Sequence, residues 1–134
     1  MSVSENKAVV REFVSKVLNG FDMEMVDKLC AANYVNRGAG NVDLAGFKAL
    51  LSAMKSAMTN QDTEIEDIIG EGDSVVIRGK SNITLATGKK ITARIITWYR
   101  LANGKIVEDD PIASPDLAQI LGNIVPLKPT QQAD

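Results

Sequence analysis

Ser74-Val-Val-Ile-Arg-Gly-Lys-Ser-Asn-Ile-Thr-Leu85 and Lys90-Ile-Thr-Ala-Arg-Ile-Ile-Thr-Trp-Tyr-Arg-Leu101, parted by Ala86-Thr-Gly-Lys89, decide the fold of this 134-residue chain. Both runs are dense in Val, Ile and Thr, which suit a half-buried pleat. Two further runs flank them, 62–70 and 104–113, set off by Gly70-Glu-Gly-Asp73 and by Asn103-Gly104. Asn-Gly between two such runs is a hairpin signal. Four strands joined by short turns predict an antiparallel meander.

Upstream of Asn60 the apolar period is helical. Val10, Phe13, Val14, Val17 and Leu18 form one stripe of a helix over 5–19, with Ser4 as the expected N-cap and Asn19-Gly20 as the stop. A second helix is expected over 22–32, its stripe being Met23, Val26, Leu29 and Cys30. Tyr34-Val35-Asn36 reads as extended, and Gly38-Ala39-Gly40-Asn41 as a loop. A third helix, 43–58, carries Phe47, Leu50, Leu51, Met54 and Met58 on one face. Helices followed by an antiparallel sheet define an α+β domain. Asp116–Leu121 adds a helical turn, so the expected organisation is one domain over 1–122 and a frayed tail over 123–134.

Composition narrows the chemistry. Lys plus Arg is 15 and Asp plus Glu is 17, a formal net charge of −2, which gives no basic excess for nucleic acid or anionic membrane. There is no histidine, which removes His-based triads, general bases and metal ligands together. The single cysteine, Cys30, cannot form an intrachain disulfide, and its apolar neighbours point to a buried core position. No run approaches a membrane span, and the first residues lack a signal peptide's apolar core, so a cytoplasmic location is expected. Any catalysis must come from carboxylates, Arg, Lys, Tyr and amides.

In order and spacing, Asn6-Lys-Ala-Val-Val-Arg-Glu-Phe, Asn19-Gly-Phe-Asp, Gly46-Phe-Lys-Ala-Leu-Leu, Glu71-Gly-Asp-Ser-Val-Val and Asn103-Gly-Lys-Ile-Val-Glu resemble the SnoaL-like polyketide cyclases, of the nuclear-transport-factor-2-like or cystatin-like cone superfamily. The resemblance spans roughly residues 5–122. It implies three N-terminal helices packed in a strongly curved antiparallel sheet, a cone-shaped α+β barrel with an interior pocket for a small apolar molecule. It also implies a homodimer, and no metal or organic cofactor.

In SnoaL-like proteins the Gly-Lys-Ile-Val-Glu run is followed by His-Trp and then an acid. Here those positions are Asp109, Asp110 and Pro111. Strand alternation puts 109 and 111 on the pocket face and 110 on the other, unless a bulge at Pro111 turns Asp110 inward; the proline itself suggests an edge or bulge there. The epoxide-hydrolase branch of the same cone holds a water with a Tyr and an Asn, beside an Asp-Arg-Asp set. Tyr34, Asn36 and Arg78 match, while Lys80 and Pro111 occupy the two Asp positions.

The expected catalytic residues are therefore Asp109, with Asp110 as its alternate, and Arg78 to orient the carboxylate. Tyr34, Asn36, Phe13, Phe47, Met54 and Trp98 are the expected substrate-binding residues. The expected function is carboxylate acid–base chemistry of cyclase, isomerase or hydrolase type on a largely apolar carbonyl or epoxide compound. The alternative is a ligand-binding module of the same fold without chemistry. Against each site residue stands a bland reading: a solvated strand end for the two acids, surface charge for Arg78, and core packing for the aromatics.

Overall fold

The computed structural model describes residues 1–122, so the expected tail over 123–134 lies outside the described residues. Helix α1 (Val3–Glu12) runs on into a π-helical segment, Phe13–Leu18. Then follow α2 (Met23–Leu29), β1 (Cys30–Asn36), β2 (Val42–Asp43) and α3 (Leu44–Ala57). Four long strands come next, β3 (Met58–Glu71), β4 (Ser74–Leu85), β5 (Lys90–Ala102) and β6 (Lys105–Ser114), before a short α4 (Leu117–Gly122).

The helix starts follow from their caps. Ser2, not Ser4, caps α1, because Ser2 has an acid three residues on while Ser4 has Lys7. The Glu5 amide donates to Ser2 Oγ at 3.0 Å and the Ser2 amide to Glu5 Oε1 at 2.9 Å, a reciprocal capping box. Asp22 and Asp43 cap α2 and α3 one-sidedly, their carboxylates accepting from first-turn amides.

The strands form one six-stranded sheet in the order β2-β1-β6-β5-β4-β3. β3 to β6 are the expected antiparallel meander. One pairing departs from a wholly antiparallel sheet: β1 lies parallel to β6, with Val35 opposite Glu108 and Asn36 opposite Asp109. No local turn announces a contact between segments some seventy residues apart. The same pairing ends α2 at Leu29, so Cys30 opens β1 instead of closing a helical stripe; it is buried as expected.

The sheet is strongly curved and unclosed, and the helices fill its concave side. Alternation is clean on β5, where every second residue from Ile91 to Leu101 is buried and every other one exposed. On β4 the inward row is Val75, Ile77, Gly79, Ser81, Ile83 and Leu85. Val10, Phe13, Val17, Val26 and Leu51, all fully buried or nearly so, pack the helices against these rows. The bend has a visible cause at Gly79. A β-carbon there would run into the backbone carbonyl of Glu64, and the β3–β4 register slips between Ile65 and Asp67 at the same place. A bulge opposite a glycine lets β3 fold closely over β4. Among the described residues, no helix is long and apolar enough to cross a membrane.

Candidate functional site

The concave face and the helices leave a cavity of ≈ 200 Å³. Phe47, Leu50, Leu51 and Met54 of α3 form one wall, Ile83, Ile95, Tyr99 and Ala113 of the sheet another, and Leu117 and Leu121 of α4 stand at one end. Polar groups interrupt this lining at a few points only: Asn36 and Asp109 in one place, Thr97 beside them on β5, and Gln61, Thr63 and Ser81 further along. Asp116 also lines the cavity, and it is solvent-exposed.

Asp109 is the buried acid among the described residues, 4% exposed. Its place on β6 sets it between Tyr99 of β5 and Asn36 of β1. The Tyr34 hydroxyl donates to Asp109 Oδ2 at 2.9 Å. Asn36 Nδ2 donates to the Tyr34 oxygen at 3.1 Å and reaches Asp109 Oδ2 at 3.5 Å. Asn36 is itself anchored, since its Oδ1 accepts from the Ala39 amide at 3.1 Å. The Gly38 turn packs this loop onto Pro111, because only a residue without a β-carbon can sit so close to that ring. Asp109 Oδ1 accepts no hydrogen bond from the described residues, so it is the oxygen available to a molecule in the cavity.

Burial dominates the electrostatics. Desolvation pushes the Asp109 carboxyl from its ordinary value of 3.8 up to about 7, the Tyr34 hydrogen bond pulls it back down, and the neighbouring charge of Asp110 adds to the rise. The Tyr34 and Tyr99 hydroxyls are raised well above the ordinary tyrosine range by burial and by the Asp109 charge, so both remain protonated donors. Aromatic rings pack around this corner. Between ring centroids, Tyr34 lies 5.0 Å from Phe47, and Phe13 lies 6.0 Å from Phe47 and 5.8 Å from Tyr99.

Of the expected site residues, Asp109, Asn36, Phe47 and Met54 line the cavity. Tyr34 does not; it stands behind Asp109 and holds it. Phe13 is likewise a backing residue, behind Phe47 and Tyr99. Three expectations are corrected. Arg78 is exposed on the outer face of β4, paired in register with Ile96, and cannot meet Asp109 on the other side of the sheet. Trp98 is 51% exposed on the outer face of β5, where its Nε1 donates to Ser74 Oγ at 3.2 Å; Tyr99 takes the inner position. Asp110 is also exposed, opposite Trp98, because the β5–β6 register shows no slip near Pro111.

Pro111 is tolerated for a local reason. β6 is a central strand, yet its last partner on β1 is Asp109, so from residue 110 on that side of β6 is an edge. The sequence reading omits Tyr99, Thr97, Ser81, Thr63 and Gln61. Ser81 and Thr97 did leave a signal, each being the small hydroxyl residue in its inward row.

A family model of the SnoaL-like domain matches residues 10–109. A search of curated proteins finds no match. Among solved structures, a polyketide cyclase candidate from Acidithiobacillus ferrooxidans is 23% identical, with 92% of this chain and 99% of that one covered at a TM-score of 0.74. AclR, a hydroxylase candidate from Streptomyces galilaeus, is 24% identical over 90% of this chain and 87% of its own, also at 0.74. A protein from Catenulispora acidiphila with a ketosteroid isomerase-like fold, solved with trimethylamine, is 16% identical over 78% and 83% at 0.67. At these identities the structural likeness speaks for the fold.

Proposed function

This chain belongs to the SnoaL-like family, and from that premise we propose that it is a cofactor-independent acid–base enzyme of cyclase or isomerase type, acting on a small, largely apolar carbonyl compound. The observation that carries the reading is Asp109: a buried carboxyl in the wall of an apolar cavity, one oxygen held by Tyr34 and the other free.

The chemistry follows from that geometry. Ionised Asp109 takes a proton from the carbon next to a substrate carbonyl through Oδ1. The resulting enolate attacks a second carbonyl in a cyclisation, or is reprotonated elsewhere in an isomerisation. The protonated acid then returns its proton. A carboxyl brought to about 7 is suited to both directions, because a general acid–base works best when its pKa lies near the working pH. Tyr34 keeps Oδ2 occupied and so directs the proton to Oδ1. Asn36 keeps Tyr34 in place. The aromatic surroundings raise the basicity of the carboxylate once it is formed.

The test is turnover of cyclisable polyketide esters and ketosteroids, with epoxides as a hydrolase control, by the wild type and by Asp109→Asn and Asp110→Asn. Asp109→Asn is expected to lower kcat by about 100-fold or more, the usual span for a lost general acid–base. Asp110→Asn, changed on the outer face, is expected to stay near wild type. Full turnover by Asp109→Asn overturns the assignment. A ligand that binds the cavity and leaves unchanged points instead to a binding module.

A further inference from the structure

Away from Asp109 the cavity holds a second polar group with unspent hydrogen-bonding capacity. Asn19, just after the π-helical segment, is locked onto the backbone of β3: its Oδ1 accepts from the Thr63 amide at 2.8 Å and its Nδ2 donates to the Thr63 carbonyl at 3.1 Å. That fixes which way the Asn19 amide faces, and so which way Gln61 faces. Gln61 Nε2 donates to Asn19 Oδ1 at 3.3 Å and to Thr63 Oγ1 at 2.7 Å. Both amide protons are then used, and Gln61 Oε1 is left without a donor among the described residues.

Across the β3–β4 pairing, Thr63 Oγ1 and Ser81 Oγ lie 2.7 Å apart. Two hydroxyls that share one hydrogen bond use one of their two protons. The second proton has no acceptor among the described residues, although Thr63 and Ser81 are only 5% and 4% exposed. Buried donors are seldom left unpaired. All three residues line the cavity, Gln61 being half-buried, so a molecule inside it is in reach of the free donor and the free acceptor.

We propose that Gln61, Thr63 and Ser81 form a second recognition point that takes a hydroxyl of the substrate, at the far end of the cavity from Asp109. The chemistry selects a hydroxyl (phenol, enol or alcohol) because one group there donates and another accepts. A substrate hydroxyl oxygen takes the spare Thr63–Ser81 proton and gives its own to Gln61 Oε1. A bare carbonyl would leave Gln61 unanswered.

The spacing says something about substrate length. Asp109 is opposite Tyr99 on β5 and Ser81 is opposite Ala93, six residues away on the same strand. At about 3.3 Å per residue that is roughly 20 Å along the strand, shortened across the cone by its curvature. The substrate class is thus an elongated, mostly apolar molecule with a reactive carbonyl at one end and a hydroxyl at the other. This inference rests on the reading of the cavity as the substrate site.

The test compares para-phenylphenol with biphenyl, a pair differing by one hydroxyl, by calorimetric titration. The wild type is expected to favour the phenol by about tenfold, the worth of a well-made buried hydrogen bond. In a Thr63→Val/Ser81→Ala double variant the preference falls below about twofold while biphenyl binds as before, which also shows that the cavity is intact. Thr63→Ser, which keeps the hydroxyl, retains the preference, and so does Asp109→Asn. A preference lost in Asp109→Asn but kept in the double variant overturns the proposal, because the hydroxyl then sits at the carboxylate. Equal binding of the two probes by the wild type overturns it while leaving the cavity reading intact. Failure of both probes to bind overturns both.

Discussion

Among the described residues Asp109 is held by neutral donors, with no cation beside it, and this shapes how it responds to pH. A carboxyl whose value is raised in the folded state holds its proton more tightly there than in the unfolded chain. Below about pH 4 both states keep the proton and burial exacts no charge penalty. As pH climbs towards about 7, the unfolded chain ionises first, and the folded protein must then carry a buried charge. Stability falls across that window by at most about 4 kcal/mol and is level above it. Asp109→Asn lacks the titrating group, so its urea midpoint relative to the wild type should rise as pH climbs from about 4 to about 7 and level off above that; parallel curves for the two proteins would contradict this. Tyr34→Phe acts through Asp109. It removes the one hydrogen bond that lowers the carboxyl's value, so the rise in kcat with pH, which follows formation of the carboxylate, should move to higher pH. A purely structural role for Tyr34 would lower activity without moving that profile. Asp109 was legible in the sequence because strand parity separates 109 from 110. Arg78 was not, because β4 carries apolar residues on both faces and alternation there has two readings.

At the level of elements, the long strands and their turns were legible because period and punctuation agree. Where they misled, a tertiary contact had overruled a local preference. Cys30 and Met58 both fit the apolar stripe of the helix before them, yet each opens a strand, drawn by Ile106 of β6 and Leu85 of β4 respectively. The cavity polar group at Thr63 and Ser81 depended on register between two strands, which no single segment displays. The curvature that makes the cavity has a more local origin, and a local test. Gly79→Ala places a methyl group against the Glu64 carbonyl. The obstacle is backbone and cannot rotate away, so the variant should lose about 1–3 kcal/mol, the usual cost of overpacking. Thermal or urea unfolding reads this directly, and a wild-type midpoint would show that β3 can flatten without penalty. Because the bulge, with Glu66 as its extra residue, lies next to Ile65 opposite Gly79, any surviving variant should also bind cavity ligands less well.

For the whole molecule, the convex side of the sheet poses a different problem from the concave side. Ile69, Ile96, Trp98 and Ile112 are 60%, 51%, 51% and 73% exposed. They are neighbours: Ile96 pairs with Ile112, and Trp98 with Val76, which in turn pairs with Ile69. An apolar patch of this kind on a sheet face is uncommon on an isolated chain. The charges around it are of both signs, Arg78 and Arg94 beside Ile96 and Asp110 beside Trp98, while Glu108 is already paired with Arg37 and Arg100. A second copy of the same surface therefore offers both apolar cover and opposite charge, as a two-fold contact requires. The expected outcome is a homodimer by light scattering at micromolar concentration, with Trp98 emission shifted to the blue by its burial. Ile96→Asp and Ile112→Asp, singly or together, should give a monomer with red-shifted emission and unaltered cavity binding, because neither side chain faces the cavity. A wild-type monomer would leave the patch for some other partner. The same residues explain why the inward assignment of Trp98 fails from sequence. An exposed apolar patch has the composition of a core, and only the sheet's curvature, which puts the helices on the other side, tells the two apart.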